Sequence, residues 1–99
     1  MILVTCPSGA SGKAIVDLLL KNRLISCANM ISGVESRFWW KGRIDHAKET
    51  LILLKARAKK FKEIEKQIKN IHDYKVPEIV AIPITAGSKE YLDWIDSIA

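Results

Sequence analysis

The sequence has few of the residues that crosslink small proteins or hold metal clusters. Its 99 residues include two cysteines, two histidines and three prolines. Cys6 and Cys27 form no CxxC pair, which excludes a zinc knuckle and a thioredoxin-type motif. A chain of this length buries enough surface to fold without disulfides or a structural metal, so we expect both thiols to be free.

Long hydrophobic runs are absent too. No apolar run reaches the roughly 18–20 residues that cross a bilayer, and the short apolar start of the chain lacks the basic leader of a signal peptide. We therefore expect a cytoplasmic location and no membrane partner. The chain is 48% apolar and 27% charged, which is typical of a globular protein, and its length predicts one domain over residues 1–99.

The usual catalytic motifs are incomplete. Residues 9–13 lie between an apparent strand and a helix, but a phosphate loop would need glycine at position 7 and serine or threonine at position 14, where Pro7 and Ala14 stand. The histidines, His46 and His72, show no spacing that would make either one the base of a cysteine nucleophile. We therefore expect that the protein is not an enzyme.

The first half of the chain predicts a strand, a helix and a long hairpin. Residues 1–6 are strand-like, and apolar residues then recur at helical spacing to about residue 23, with Ser8 or Ser11 as the N-cap. Residues 25–40 are extended with a bend near Ser32 and Gly33. A turn at Lys41 and Gly42 leads into a return strand over about 48–57.

The second half predicts a helix, a strand and a last helix. Apolar residues at positions 61, 64, 68 and 71 mark an amphipathic helix. Residues 78–85 are strand-like, with Pro83 at an edge or a bulge, and Ser88 is the expected cap of the C-terminal helix. The order β-α-β-β-α-β plus a helix predicts an α/β (α+β) fold, the ferredoxin-like split βαβ sandwich.

The central strands are apolar on both faces. Side chains alternate along a strand, so the runs 51–54 and 79–82 present apolar groups to both sides of the sheet, as do the neighbours Trp39 and Trp40. With the two main helices on one face, the other face needs a second cover. We expect self-association to supply it, since burying about 1000 Å² of apolar surface per subunit contributes on the order of 25 kcal/mol before entropic costs.

The positive charge of the chain is not arranged as a binding surface for acidic partners would require. The net charge is +5, but the densest basic stretch, residues 59–66, also contains glutamates, which is typical of a solvated helix face. An RNA-reading sheet carries stacking aromatics, and the strand 49–55 has none. We therefore do not expect nucleic acid among the partners, and RNA binding ranks last among the functions.

Five segments spread over the whole chain together match a known family pattern. They are Cys27-Ala28-Asn29, the run 36–44 with Trp40 and Gly42, Glu49 with Leu53-Leu54-Lys55, His72-x-Tyr74-x-Val76-Pro77-Glu78-Ile79, and Tyr91-Leu92-x-Trp94. This pattern resembles the CutA family of divalent-cation-tolerance proteins. The resemblance implies a ferredoxin-like subunit in a homotrimer like that of the PII signalling proteins. It also implies a non-enzymatic role in tolerance to divalent metals, copper above all, with no cofactor tightly bound.

The resemblance also supplies candidate site residues. In the family, copper is held by a first-strand cysteine and by the histidine that matches His72. The cysteine position falls on Val4 here, and Cys6, on the same face of the strand, is its candidate replacement. The resemblance therefore predicts His72 and Cys6 as metal ligands. Further candidates for an inter-subunit cleft are Cys27, Trp40, Lys55, Tyr74, Glu78 and Tyr91.

Other roles remain open for the cleft residues. Trp40 and Tyr91 could simply pack an interface, and Lys55 could form a buried ion pair with Glu78. The alternative function is a PII-like signalling or scaffold module that binds a small anion in the inter-subunit cleft. Lys55 and the helix start at residues 8–13 motivate that alternative.

Overall fold

The computed structural model describes residues 1–98, and strands and helices alternate in it in the predicted order. The elements are β1 (Ile2–Cys6), α1 (Gly9–Lys21), β2 (Cys27–Trp40), β3 (Arg43–Lys55), a short 3-10 turn (Ala58–Lys60), α2 (Phe61–Ile71), β4 (Ile79–Ala81) and α3 (Lys89–Ile98). The sheet order is β2-β3-β1-β4, and every neighbouring pair is antiparallel. This is the ferredoxin-like arrangement, as predicted.

The first helix begins at a serine cap. The Oγ of Ser8 accepts a hydrogen bond from the backbone N–H of Ser11 at 3.1 Å, which satisfies one of the free donors of the first turn. The helix ends at Lys21, two residues earlier than expected, and buries Ile15 and Leu19 against the sheet. Of the two expected caps, Ser8 is therefore the one used.

The hairpin of β2 and β3 is longer than the sequence pattern predicts. The expected bend is present as a bulge between Ile31 and Val34. At the tip, Lys41 and Gly42 both have positive φ, +50° and +80°, as a two-residue type I′ turn requires. The tight turn lets pairing resume at once, so β3 begins at residue 43 rather than 48.

The strand that follows α2 is shorter than the sequence predicts, whereas the helices on either side of it are as expected. Ile64 and Ile68 are the fully buried residues of α2, which confirms its predicted apolar face. The strand β4 then spans three residues instead of eight. Its ladder with β1 runs from Val4 to Ile2 and is extended only by the backbone hydrogen bonds between Met1 and Ile82, because Pro83 cannot donate to a ladder. The cap of α3 is confirmed, since Ser88 Oγ accepts from the Tyr91 N–H at 3.3 Å.

The pairing register assigns each side chain to one face of the sheet. Val4 pairs with Ile52, and both are fully buried beneath α1 and α2, so they define the helix face. Their alternating neighbours define the open face, which carries Leu3, Ile31, Leu51, Leu53 and Val80. Because the bulge adds one residue to β2, the even-numbered residues from 34 to 40 also lie on the open face.

Candidate functional site

The imidazole of His72 is held at the end of β1. Its Nε2 lies 2.8 Å from the carbonyl oxygen of Thr5, and its Nδ1 accepts the backbone N–H of Tyr74 at 3.0 Å. Since Nδ1 is an acceptor, the ring proton is on Nε2, which donates to Thr5. The hydrogen bonds of both ring nitrogens thus hold the connection after α2 against the first strand.

The phenol of Tyr74 continues this network to the open face. Its hydroxyl donates to Glu49 Oε2 at 2.9 Å, and its ring lies 5.0 Å from that of His72 between centroids. Burial, together with the hydrogen bond and charge of Glu49, raises the pKa of Tyr74 to about 12. The phenol therefore keeps its proton and acts as a donor that stabilises the buried carboxylate of Glu49.

The thiol of Cys6 lies in the core of the helix face. Cys6 is fully buried, and its Sγ lies 3.4 Å from the Ser8 carbonyl oxygen and 3.6 Å from that of Thr50. Burial raises the pKa of Cys6, and the nearby acids Asp73 and Glu49 act in the same direction, against the effect of a backbone hydrogen bond at Ser8. The thiol therefore stays neutral, whereas metals bind the thiolate.

This donor set does not fit a tightly held metal within one chain. His72 has no free nitrogen in its present position, and Cys6 is a buried neutral thiol. Over residues 1–98, no three or more of histidine, cysteine, aspartate and glutamate are grouped so as to hold an ion. Within the single chain both predicted ligands act as parts of the fold.

A second group of candidates lies at the opposite end of the open face. Cys27 pairs with Lys55 across β2 and β3, and the Lys55 amine donates to the side-chain oxygen of Asn29. Tyr91 of α3 reaches the same place: burial, followed by a hydrogen bond and charge interaction with the Cys27 thiol, raises the pKa of Tyr91. This end therefore combines one cation with two weak hydrogen-bonding groups.

The remaining two candidates stand apart. Trp40 lies at the tip of the hairpin on the open face and is 49% exposed. Glu78 is exposed and directly precedes Ile79, the β4 partner of Val4. Glu78 is therefore level with Thr5 and with Leu51, the β3 partner of Thr5. Lys55 lies four residues further along β3 than Leu51, which is roughly 13 Å. Within residues 1–98 of a single chain, Lys55 and Glu78 therefore do not form the ion pair that the sequence left open.

The structure thus divides the eight candidates into two groups and two separate residues. His72 and Tyr74 lie near the core thiol of Cys6 at the end of β1. Cys27, Lys55 and Tyr91 lie together at the other end of the open face, and Trp40 and Glu78 stand apart. Glu49 and Asn29, which the candidates contact, were expected as parts of the family pattern and not as site residues. Their contacts with Tyr74 and Lys55 join separate parts of the chain, for which a single sequence has no local signal.

Comparison with known proteins decides the family. The family model described as "CutA1 divalent ion tolerance protein" matches residues 1–98. The chain belongs to the CutA family. The CutA protein of Archaeoglobus fulgidus is 42% identical over 95 residues, covering 96% of this chain and 92% of that protein. The CutA protein of Thermus thermophilus is 38% identical with the same coverage.

Solved structures of CutA proteins have the same fold. The Archaeoglobus fulgidus structure superposes with a TM-score of 0.95 at 41% identity, covering 98% of this chain and 94% of that one. The Thermus thermophilus structure gives 0.95 at 37% identity with the same coverage. The first of these is described as a periplasmic protein, so the family does not fix the expected cytoplasmic location. In the described part of this chain, no helix combines the length and apolarity that crossing a membrane requires.

Proposed function

We propose that this CutA protein acts in divalent-cation tolerance as a homotrimer, without catalysing a reaction. Relatives that are 38–42% identical are named divalent-cation tolerance proteins, which supports the cation role. The assembly is supported by the chain itself. The observation that carries it is the open face of the sheet, where the central side chains are apolar and only partly covered.

The open face is too apolar to be a solvated surface. Ile31 and Val80 are each 46% exposed, and Leu51 and Leu53 lie between them only half-buried. The face continues along the hairpin to Phe38 and Trp40, which are also exposed. A contiguous apolar patch of this kind is typical of a protein interface, and copies of the same chain offer a matching apolar surface.

The assembly is tested by measuring the mass of the native protein and of an open-face variant. We expect a mass three times that of the 11.2 kDa chain in sedimentation or light scattering. Leu53→Lys places a charge at the centre of the open face and should yield monomers, since a buried unpaired charge is strongly destabilising. The matched control is Ile44→Lys, which alters an exposed residue on the other face of the hairpin. A native protein that is monomeric at micromolar concentration would refute the proposed trimer.

Metal binding at His72 and Cys6 stays a prediction. The hydrogen bonds that both residues already make indicate how tightly they could bind an ion. An ion at His72 would have to replace the bond to Thr5 or the bond to Tyr74. We therefore expect loosely bound Cu²⁺ at most, in keeping with the expectation that no cofactor is tightly bound. Calorimetric titration of the native protein and of a His72→Ala, Cys6→Ser double variant measures this directly.

The control for the titration is the other histidine. His46 is exposed on the hairpin, so His46→Ala removes a surface ligand without touching the His72 network. Copper binding that is lost in the double variant and kept in His46→Ala supports the prediction. Equal binding by the native protein and the double variant removes His72 and Cys6 from any metal site, while leaving the trimer untouched.

The second candidate function is a PII-like module that binds a small anion in the cleft between subunits. The observation in its favour is the Lys55 amine, which lies on the open face beside Asn29 and Tyr91 rather than in an ion pair with an acid. A thermal-shift screen of nucleotides and organic anions tests it. A stabilising ligand whose effect is lost in Lys55→Gln supports this function, and a screen with no stabilised hit counts against it.

A further inference from the structure

The net charge of the protein is concentrated in one layer of the fold. Residues 7–24 and 58–71, which contain α1 and α2, hold eight of the 16 lysines and arginines but three of the 11 aspartates and glutamates. These two segments, here called the helix layer, therefore carry the whole charge of +5. The rest of the chain has eight residues of each sign and is neutral.

Within the helix layer, the lysines form a line opposite the buried side of α2. Lys59, Lys62, Lys66 and Lys69 recur at spacings of three, four and three, two positions out of phase with the buried stripe. At 100° per residue this phase places Lys62, Lys66 and Lys69 on the solvent side of α2. Lys59 lies in the 3-10 turn directly before α2, and all four lysines are exposed. The line is about 15 Å long at 1.5 Å per residue.

Most of these amines are not neutralised by neighbours. Lys69 pairs with Glu65 at 3.3 Å. Among residues 1–98, Lys59, Lys62 and Lys66 take part in no ion pair. Opposite charges four residues apart on a helix attract each other, and Lys59 has such a neighbour in Glu63, but the residues four positions after Lys62 and Lys66 are Lys66 and Asn70. Their positive field is therefore directed mainly at solvent.

The adjoining helix extends the positive surface sideways. Asn22 donates from Nδ2 to Gln67 Oε1 at 2.7 Å, which ties the end of α1 to α2. That end carries Lys21 and Arg23, both exposed. The helix layer also lies on the side of the sheet away from the apolar open face, so assembly through the open face leaves it accessible.

We propose that the helix layer binds the phosphate backbone of double-stranded nucleic acid without reading its sequence. A duplex carries one negative charge per roughly 1.7 Å of its axis, so a 15 Å lysine line passes about nine phosphates. The one aromatic residue of the helix layer, Phe61, is half-buried against the core, so the layer offers no exposed ring on which an unpaired base could stack, which favours a duplex over a single strand. This site is distinct from the sheet, which lacks the features of an RNA-reading surface.

The binding is measured by fluorescence anisotropy of a labelled 20-base-pair DNA duplex across a range of salt concentrations. The helix-layer variant is Lys59→Gln, Lys62→Gln, Lys66→Gln, which keeps good helix formers at exposed positions. The matched control is Arg37→Gln, Lys48→Gln, Lys75→Gln, which removes three exposed cations elsewhere and lowers the net charge equally. Circular dichroism and native mass confirm that both variants keep the fold and the assembly of the native protein.

We expect the native protein to bind the duplex at low salt with an affinity that falls steeply as salt rises. Loss of three phosphate contacts per subunit should reduce the log–log salt slope by about 2.7 and weaken binding about tenfold or more in the helix-layer variant. The control variant should remain close to the native protein. Equal weakening in both variants, no duplex binding at low salt, or binding to anionic vesicles in preference to the duplex would each overturn the proposal.

Discussion

The two faces of the sheet are built from alternate residues of the same strands, yet they meet different surroundings. On β3, Ile52 and Leu54 are completely buried by the helices, while Leu51 and Leu53 between them are only half-covered. Both pairs have the same apolar character. The hydrophobic pattern alone therefore does not distinguish a core residue from a half-exposed one, because the difference comes from the helices, which pack on one face of the sheet only.

The two faces also differ in the charged and polar residues that they carry. The helix face completes the subunit, and its outer side carries the net charge. The open face carries the candidate cleft residues at its two ends, Tyr74 with Glu49 at one and Lys55 with Cys27 at the other. A single residue step along each strand therefore separates the side chains of the subunit core from those of the face through which we propose assembly.

The largest expected effect comes from breaking the helix face. Leu54→Ala removes a fully buried side chain from the core and should lower the free energy of unfolding by about 2–5 kcal/mol, since the cavity is enclosed by α1, α2 and the sheet. Urea denaturation followed by circular dichroism measures the loss. We expect the native mass of the folded variant to stay unchanged.

Its neighbour on β3 provides the contrast. Leu53→Ala truncates the open face, so it should weaken association between subunits more than the folding of one subunit. The dissociation of the native assembly on dilution, measured by sedimentation, should therefore move to higher protein concentration. If the two alanine variants lose the same stability and both keep native association, the two faces do not differ as proposed.

A smaller effect is expected from the polar end of the open face. Tyr74→Phe removes the hydroxyl that donates to Glu49 and leaves a buried carboxylate oxygen without that partner, which should cost about 1–3 kcal/mol. Urea denaturation near neutral pH measures this cost. A cost close to zero would mean that water replaces the phenol and that the network does not hold the connection after α2 in place.

The pH dependence of the same variant gives an independent check. Because the pKa of Tyr74 is raised to about 12 from its ordinary value of 10.0, the folded state holds the phenol proton more tightly than the unfolded chain. The stabilisation is complete below about pH 10 and is lost as the pH rises towards about 12. The native protein should therefore lose more stability than Tyr74→Phe over this range, while all other groups titrate equally in both.

The sequence predicts the strands and helices where side-chain patterns match their surroundings. The α2 stripe and the caps at Ser8 and Ser88 were found because periodicity and capping are local properties. The start of β3 was missed, because residues 43–48 lie on the part of the hairpin that extends beyond the helices and carry few apolar groups. The length of β4 was overestimated, because its ladder reaches the first residue of β1 at Ala81 and Pro83 cannot extend it.

The candidate site was less predictable than the fold. His72 and Tyr74 came from the family resemblance, but their hydrogen bonds to Thr5 and Glu49 join residues 67 and 25 positions apart. Contacts of that kind leave no periodic signal in a single sequence. The structure is therefore needed to show that His72 is fully engaged in hydrogen bonds, and this changes the expected strength of metal binding.

The smallest effect, and the finest test of the two faces, lies in the two neighbouring tryptophans of the hairpin. Trp40 is on the open face and Trp39 on the opposite face, where it is 72% exposed. Assembly through the open face should shield Trp40 and leave Trp39 in water. Acrylamide should therefore quench the fluorescence of Trp39→Phe less than that of Trp40→Phe, with Trp94 common to both variants. Introducing Leu53→Lys into each variant should reduce the difference, because dissociation exposes Trp40 as well. Equal quenching of the two variants in the assembled protein would show that the hairpin tip lies outside the covered face.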